Sequence, residues 1–218
     1  MDSPEISESD LFKALGGLER INRWDFSGQF LYLELKKHIH AKSNVKILDM
    51  ACARGAFLFF LARKFDDQER ISFHGCDINQ KSIEYAKSRS EKEGSGLHFF
   101  VHDALKDTLE EEYEVILCSL FLHHLSNDEI KKLLLKMVAK AKVVLISDLR
   151  RSMFGYYVSI VATRLLTTSR IVHNDGPASI QQALTIREMK AILQELNITS
   201  YEIKKQCPFR FMLLIKQS

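Results

Sequence analysis

From Val45 onward the chain alternates short apolar runs with longer amphipathic stretches. Few folds accept that alternation: it is the pattern of a parallel sheet wrapped by helices. The runs are Val45–Met50, Ile71–Cys76, Leu97–Val101, Tyr113–Leu120 and Lys142–Ser147, and each reads as a buried strand. Between them, Arg54–Phe65 reads as a helix apolar on nearly every side. A second helix is capped by Asn79, whose amide oxygen can accept from first-turn N–H groups, and runs to Glu93 before Gly94-Ser95-Gly96 breaks it. Ser126-Asn127-Asp128-Glu129 opens another helix, and Thr185 with Glu188 forms a capping box for the last, to Leu196. Tyr201–Gln206 and Phe209–Lys216, joined around Pro208, close the chain as an antiparallel pair.

The expected architecture is a Rossmann-like α/β fold. It has a seven-stranded, mostly parallel sheet with one antiparallel strand and helices on both faces. Two pieces fall outside the alternation. Residues 1–44 read as an N-terminal helical cap, with helices over Leu11–His40, ahead of a main domain at 45–218. Residues 149–184 form a long insertion after the fifth strand, and insertions of that length in compact domains are more often functional than decorative. Within it, Asp175-Gly176-Pro177 reads as a turn.

In open α/β sheets ligands sit beyond the carboxyl ends of the strands, and the polar residues of interest cluster there. Asp49 ends the first strand and is followed by Met50-Ala51-Cys52-Ala53-Arg54-Gly55. Asp77 ends the second strand, in Gly75-Cys76-Asp77-Ile78, where a carboxylate can accept from both hydroxyls of a ribose. Asp103 follows the third strand in Val101-His102-Asp103-Ala104, and Cys118-Ser119-Leu120-Phe121-Leu122-His123-His124 follows the fourth.

In order and spacing these segments resemble the motifs of class I methyltransferases. The resemblance implies S-adenosyl-L-methionine as cofactor. It would be bound by Asp49, Ala51, Cys52, Ala53 and Gly55 of the first turn, by Asp77 and Ile78 at the ribose, by Asp103 and the Ala104 N–H at the adenine, and by Ser119 at the methionine half. The first motif departs from the family pattern, because Ala51 and Ala53 stand where glycines are usual. The departure is tolerable if both alanines keep negative φ. It counts against a dinucleotide, whose pyrophosphate demands close backbone approach. Leu18–Trp24, Ser147–Arg151 and His173–Pro177 further resemble a bacterial subgroup associated with type III polyketide synthases, which implies a phenolic or polyketide-like acceptor and O-methylation.

Methyl transfer to a hydroxyl benefits from a base, and His123, His124 and His173 are the candidates, imidazole titrating near neutral pH. Tyr156 and Arg170 of the insertion are the expected acceptor contacts; the subgroup resemblance implies a lid over the cofactor from Asn22, Arg23 or Trp24, with a plain amphipathic helix as the alternative. No metal is expected: Ser119 follows strand four and Asp148 alone follows strand five. A net charge of +3 with scattered Lys and Arg points away from nucleic acid, and no apolar run reaches the roughly 18 residues that span a bilayer. With an acidic, polar start and no CxxC spacing among Cys52, Cys76, Cys118 and Cys207, a cytoplasmic location is expected. A protein or RNA acceptor, or a non-catalytic scaffold that keeps the fold, stays open at this point. The oligomeric state is not legible.

Overall fold

A computed structural model describes residues 27–39, 44–65, 70–166 and 170–217. Seven strands, β1 (Val45–Met50), β2 (Ile71–Asp77), β3 (His98–Val101), β4 (Tyr113–Ser119), β5 (Ala141–Leu149), β6 (Tyr201–Gln206) and β7 (Arg210–Lys216), form one sheet. Their order is β3-β2-β1-β4-β5-β7-β6, and only β7 runs against its neighbours. The central strands are apolar on both sides because helices cover both faces: Ile47, Leu48, Ile116, Leu117 and Leu145 have no exposed surface.

Strand parity sorts the core into two halves. On one face Ile47, Phe73, Phe99, Leu117 and Leu145 meet α1 (Ser27–Lys36), α2 (Ala56–Lys64) and α3 (Gln80–Glu93), through Leu31, Leu35, Leu58, Phe59 and Ile83. On the other, Leu48, Ile116, Val144 and Leu213 meet α4 (Asn127–Lys140) and α7 (Ile186–Glu195), through Leu133, Leu134, Met189 and Leu193. The expected caps all form. Asn79 accepts from the Ser82 N–H at 3.0 Å, and Ser126–Glu129 and Thr185–Glu188 are reciprocal boxes.

The fifth strand is longer than its apolar run suggests, and the third begins at His98 and ends at Val101 as expected. The insertion is two helices, α5 (Met153–Leu166) and α6 (Arg170–Gln182), packed against each other. Asp175-Gly176-Pro177, expected as a turn, lies inside α6. Pro177 offers no N–H to the His173 carbonyl, yet packing overrides the local signal. A Cβ on Gly176 would stand 2.7 Å from Thr163 Cγ2, so the glycine lets α5 and α6 approach closely. Of the helices expected over Leu11–His40, Ser27–Lys36 is helical. The lid residues Asn22, Arg23 and Trp24 lie outside the described residues.

Candidate functional site

The switch point of the sheet lies between β1 and β4, whose connections leave toward opposite faces. Here β1 ends in a turn that is left-handed at alternate residues: Ala51 at φ 60°, Ala53 at 49° and Gly55 at 71°. The expectation of negative φ at the alanines is therefore overturned. The backbone keeps the course that glycines would take, at a cost of about 1–2 kcal/mol for each alanine. Hydrogen bonds offset part of it. The Cys52 N–H donates to the Cys76 carbonyl at 2.9 Å, and the Ala53 N–H donates to Asp77 Oδ2 at 2.8 Å. Both alanine side chains reach solvent, so a methyl group is sterically tolerated. At Gly55 it is not: a Cβ there would fall 2.5 Å from the Phe99 ring. The position that retains glycine is the one with no room for anything else.

Asp49 is 2% exposed and its Oδ1 has no hydrogen-bond partner. Burial, then the nearby Asp77 carboxylate, pushes its carboxyl up to about 8. A buried acid facing a second acid, one oxygen unsatisfied, is a place that a cationic, hydrogen-donating group would stabilise. Asp77 itself is fixed by the Ala53 N–H and by the Asn79 N–H to Oδ1 at 2.8 Å. Beside it Asn79, Gln80, Lys81 and Glu84 line a shallow hollow that is open to solvent. Ile78 and Val101 stand exposed at adjacent strand ends, an apolar rim.

Asp103 is already engaged. Its Oδ1 accepts from the N–H groups of Leu105 and Lys106 at 2.9 and 3.2 Å, and the Lys106 ammonium lies 3.2 Å from Oδ2. Ala104 is buried beside it, and Ser119, half-buried, pairs in register with Ser147.

On the opposite face, His123 Nδ1 lies 2.6 Å from Asp148 Oδ1, and both residues are buried. Asp148 reads in sequence as a lone acid after β5, and it is a candidate site residue that the linear reading does not single out. The parallel pairing of β4 and β5, Ser119 beside Ser147, brings the two strand ends together. The carboxylate also accepts from the N–H groups of Phe121 (3.0 Å), Leu122 (2.6 Å) and Leu149 (2.6 Å). With three donors already on it, Asp148 is an acceptor toward His123 as well. In the neutral ring Nδ1 therefore carries the proton and Nε2 the lone pair. The His124 ring lies 4.1 Å from that of His123, centroid to centroid, and is itself exposed. α6, which carries His173, packs on the 3-10 turn Leu122–His124. Tyr156 is half-buried in α5, against Tyr157, and Arg170 heads α6.

Residues 47–142 match the family model of a methyltransferase domain. Over 209 residues the chain is 20% identical to a ubiquinone biosynthesis O-methyltransferase of Rickettsia canadensis, covering 87% of this chain and 84% of that one. Residues 47–142 therefore form a methyltransferase domain, and the chain has the fold of the class I S-adenosylmethionine-dependent enzymes. Its fold matches the plantazolicin methyltransferase BpumL, solved with S-adenosylhomocysteine, at a TM-score of 0.67 and 17% identity, covering 97% of this chain and 98% of that one. A candidate O-methyltransferase from Nostoc punctiforme aligns at a TM-score of 0.63 and 15% identity over 87% of this chain, which spans only 55% of that longer protein. At such identities the structural likeness establishes the fold. The residues present fit the methyltransferase cofactor. The unsatisfied Asp49 oxygen suits an ammonium group, Asp77 suits a diol, and the Ile78 and Val101 rim suits a flat aromatic base.

Proposed function

We propose that this methyltransferase acts on a hydroxyl of a small, largely apolar acceptor, phenolic or polyketide-like, with His123 as the base. The observation that carries the reading is the buried His123–Asp148 pair, 2.6 Å apart, with its tautomer set by the backbone donors on the carboxylate. Asp148 holds the ring and stabilises the imidazolium that forms when Nε2 takes the hydroxyl proton. The relative from Rickettsia canadensis, an O-methyltransferase by name, supports a hydroxyl acceptor.

When bound, S-adenosylmethionine supplies an electrophilic methyl carbon on a sulfonium. We assign its α-amino group to Asp49 and its ribose hydroxyls to Asp77. The turn from Ala51 through Cys52 and Ala53 to Gly55 would follow its methionine half, with Ser119 beside it. Ile78 would pack on the adenine, whose edge would meet Asp103 and the Ala104 N–H. His124, His173, Tyr156 and Arg170 would border the acceptor, where positioning of nucleophile and methyl carbon contributes much of the rate.

The test is transfer of labelled methyl from S-adenosylmethionine to two probes, an alkylated catechol and a hydroxypyrone, against an amine of the same skeleton. The hydroxyl probes should accept methyl, and His123→Gln should lower kcat by about 10²–10⁴ with little change in affinity for S-adenosylhomocysteine. Preferential amine methylation, or a His123→Gln enzyme as fast as wild type, would overturn the reading.

A further inference from the structure

Helix α5 is unusual in being apolar on both sides. Gly155 and Thr163 are buried against Phe209 and α6. The outward wedge should therefore be polar, yet it consists of Met153, Phe154, Tyr157, Val158, Val161 and Leu165, all exposed. Met153, Tyr157, Val161 and Leu165 repeat every four residues, with Phe154 and Val158 beside them, so they form one continuous stripe. Leu165 is 78% exposed and Met153 73%. The helix carries one charge, Arg164, whose guanidinium donates to the Ile160 carbonyl at 3.0 Å. A helix apolar all round belongs in a protein core or against lipid, and a patch of several hundred Å² on a monomer marks an interaction site.

Charge identifies the partner. From Leu149 to Asn174 the chain has four arginines, Arg150, Arg151, Arg164 and Arg170, and no carboxylate. The whole chain carries only +3, so this stretch holds more positive charge than the molecule has in excess. Among the described residues, Glu188 of α7 faces it and pairs with Arg151. A second copy docking α5 against α5 would bring another Arg164 and no carboxylate from that helix. An anionic bilayer supplies both an apolar layer and negative headgroups, with Tyr157 suited to the boundary between them.

We propose that α5 lies in the plane of an anionic lipid bilayer and seats the methyltransferase on it. The helix is about 21 Å long at 1.5 Å per residue, and α6 joins it to the turn bearing His123. An acceptor dissolved in the bilayer would then enter beside α5. That last consequence rests on the proposed hydroxyl acceptor, whereas bilayer binding does not.

The experiment is flotation of the full chain with vesicles of phosphatidylcholine alone and of phosphatidylcholine mixed equally with phosphatidylglycerol. The protein should float with the anionic vesicles, less at high salt, and weakly with the neutral ones. Val161→Asp should weaken anionic-vesicle binding on the order of tenfold, through lost apolar contact and headgroup repulsion. Its affinity for S-adenosylhomocysteine should stay at the wild-type value, showing that the variant folds. His123→Gln should float normally, which keeps a failed base assignment separate from a failed lipid contact. The proposal is overturned by absence of flotation or by equal flotation of wild type and Val161→Asp. A dimer that Val161→Asp dissociates, without vesicle binding, would give the stripe to a second copy. Slow maleimide labelling at Leu165→Cys in a vesicle-free monomer would give it to residues 1–26; peptide mapping separates that label from exposed Cys207.

Discussion

The two halves of the site are finished to different degrees. On the proposed acceptor side, the Asp148 carboxylate takes four contacts, three from backbone N–H groups and one from His123, and both residues are buried. On the cofactor side, Asp49 has an unsatisfied oxygen, lies near another acid, and is followed by a turn with two alanines in the left-handed region. The proposed base, His123, is held in place by the protein alone, as its orientation at the moment of proton transfer would require. The cofactor edge carries strain and an unmatched buried acid, which a cationic ligand would relieve. Strain persists only where surrounding structure over-determines it, and such places cluster at functional sites.

The largest test of this contrast is Asp148→Asn. The amide nitrogen would face backbone N–H groups, or the flipped amide would force His123 into the other tautomer and remove the lone pair from Nε2. We expect kcat to fall by about 10³–10⁴. Unfolding free energy should drop by about 3 kcal/mol, the lower end for breaking a buried pair. Turnover with a phenolic acceptor and thermal unfolding read the two effects separately. A variant that keeps wild-type turnover would mean that the buried pair is architectural and that the acceptor side is not preorganised.

Next in size is Gly55→Ala. The added methyl meets a positive φ of 71° and a Phe99 ring carbon at 2.5 Å, and Phe99 is itself stacked near Phe59, over which the Arg89 guanidinium sits at 3.8 Å. Left-handed strain and overpacking together should cost about 2–4 kcal/mol, measured by denaturant unfolding. A loss below about 1 kcal/mol would show that the turn can relax and that its strain has no structural guarantor.

Asp49 supplies a pH test. Its folded-state carboxyl is raised to about 8, against about 3.9 unfolded. Between those values the folded state holds a proton that the unfolded state has lost. Stability of the ligand-free protein should therefore be full below about pH 4 from this group. It then falls by at most about 1.4 kcal/mol per unit as pH rises toward 8, and levels off above. Asp49→Asn should remove that slope in a melting-temperature series, and S-adenosylhomocysteine should bind wild type more tightly at pH 9 than at pH 6. A wild-type slope identical to that of Asp49→Asn would show that the cofactor edge is not poised for a cation.

The same contrast governs what could be read from the chain alone. Strand positions, caps and the acids at the ends of β1 and β2 follow from periodicity and short-range chemistry, so the placement of Asp49, Asp77 and Asn79 is legible. The His123–Asp148 contact spans 25 residues and exists only because β4 and β5 pair in register, so Asp148 looked like a bystander. Pro177 misled for the converse reason: Asp-Gly-Pro is a strong local turn signal, and only the α5–α6 packing shows that a helix runs through it. At Ala51 and Ala53 composition suggested that the turn had changed shape, when it had kept its shape and accepted the strain.

The smallest expected effect measures that strain directly. Ala51→Gly and Ala53→Gly each relieve about 1–2 kcal/mol of left-handed cost and give back about 0.4–1 kcal/mol through a more flexible unfolded chain. Each should therefore stabilise the protein by about 0.5–1 kcal/mol. Ala53→Gly should gain more if the backbone tightens the N–H contact to Asp77, now 2.8 Å. A double variant should be roughly additive only if the two residues strain independently. Because Cys52, between them, is pinned to the Cys76 carbonyl at 2.9 Å, releasing one should not release the other. If neither glycine stabilises the protein, the alanine turn is relaxed, and the difference between the two halves reduces to the single unmatched oxygen of Asp49.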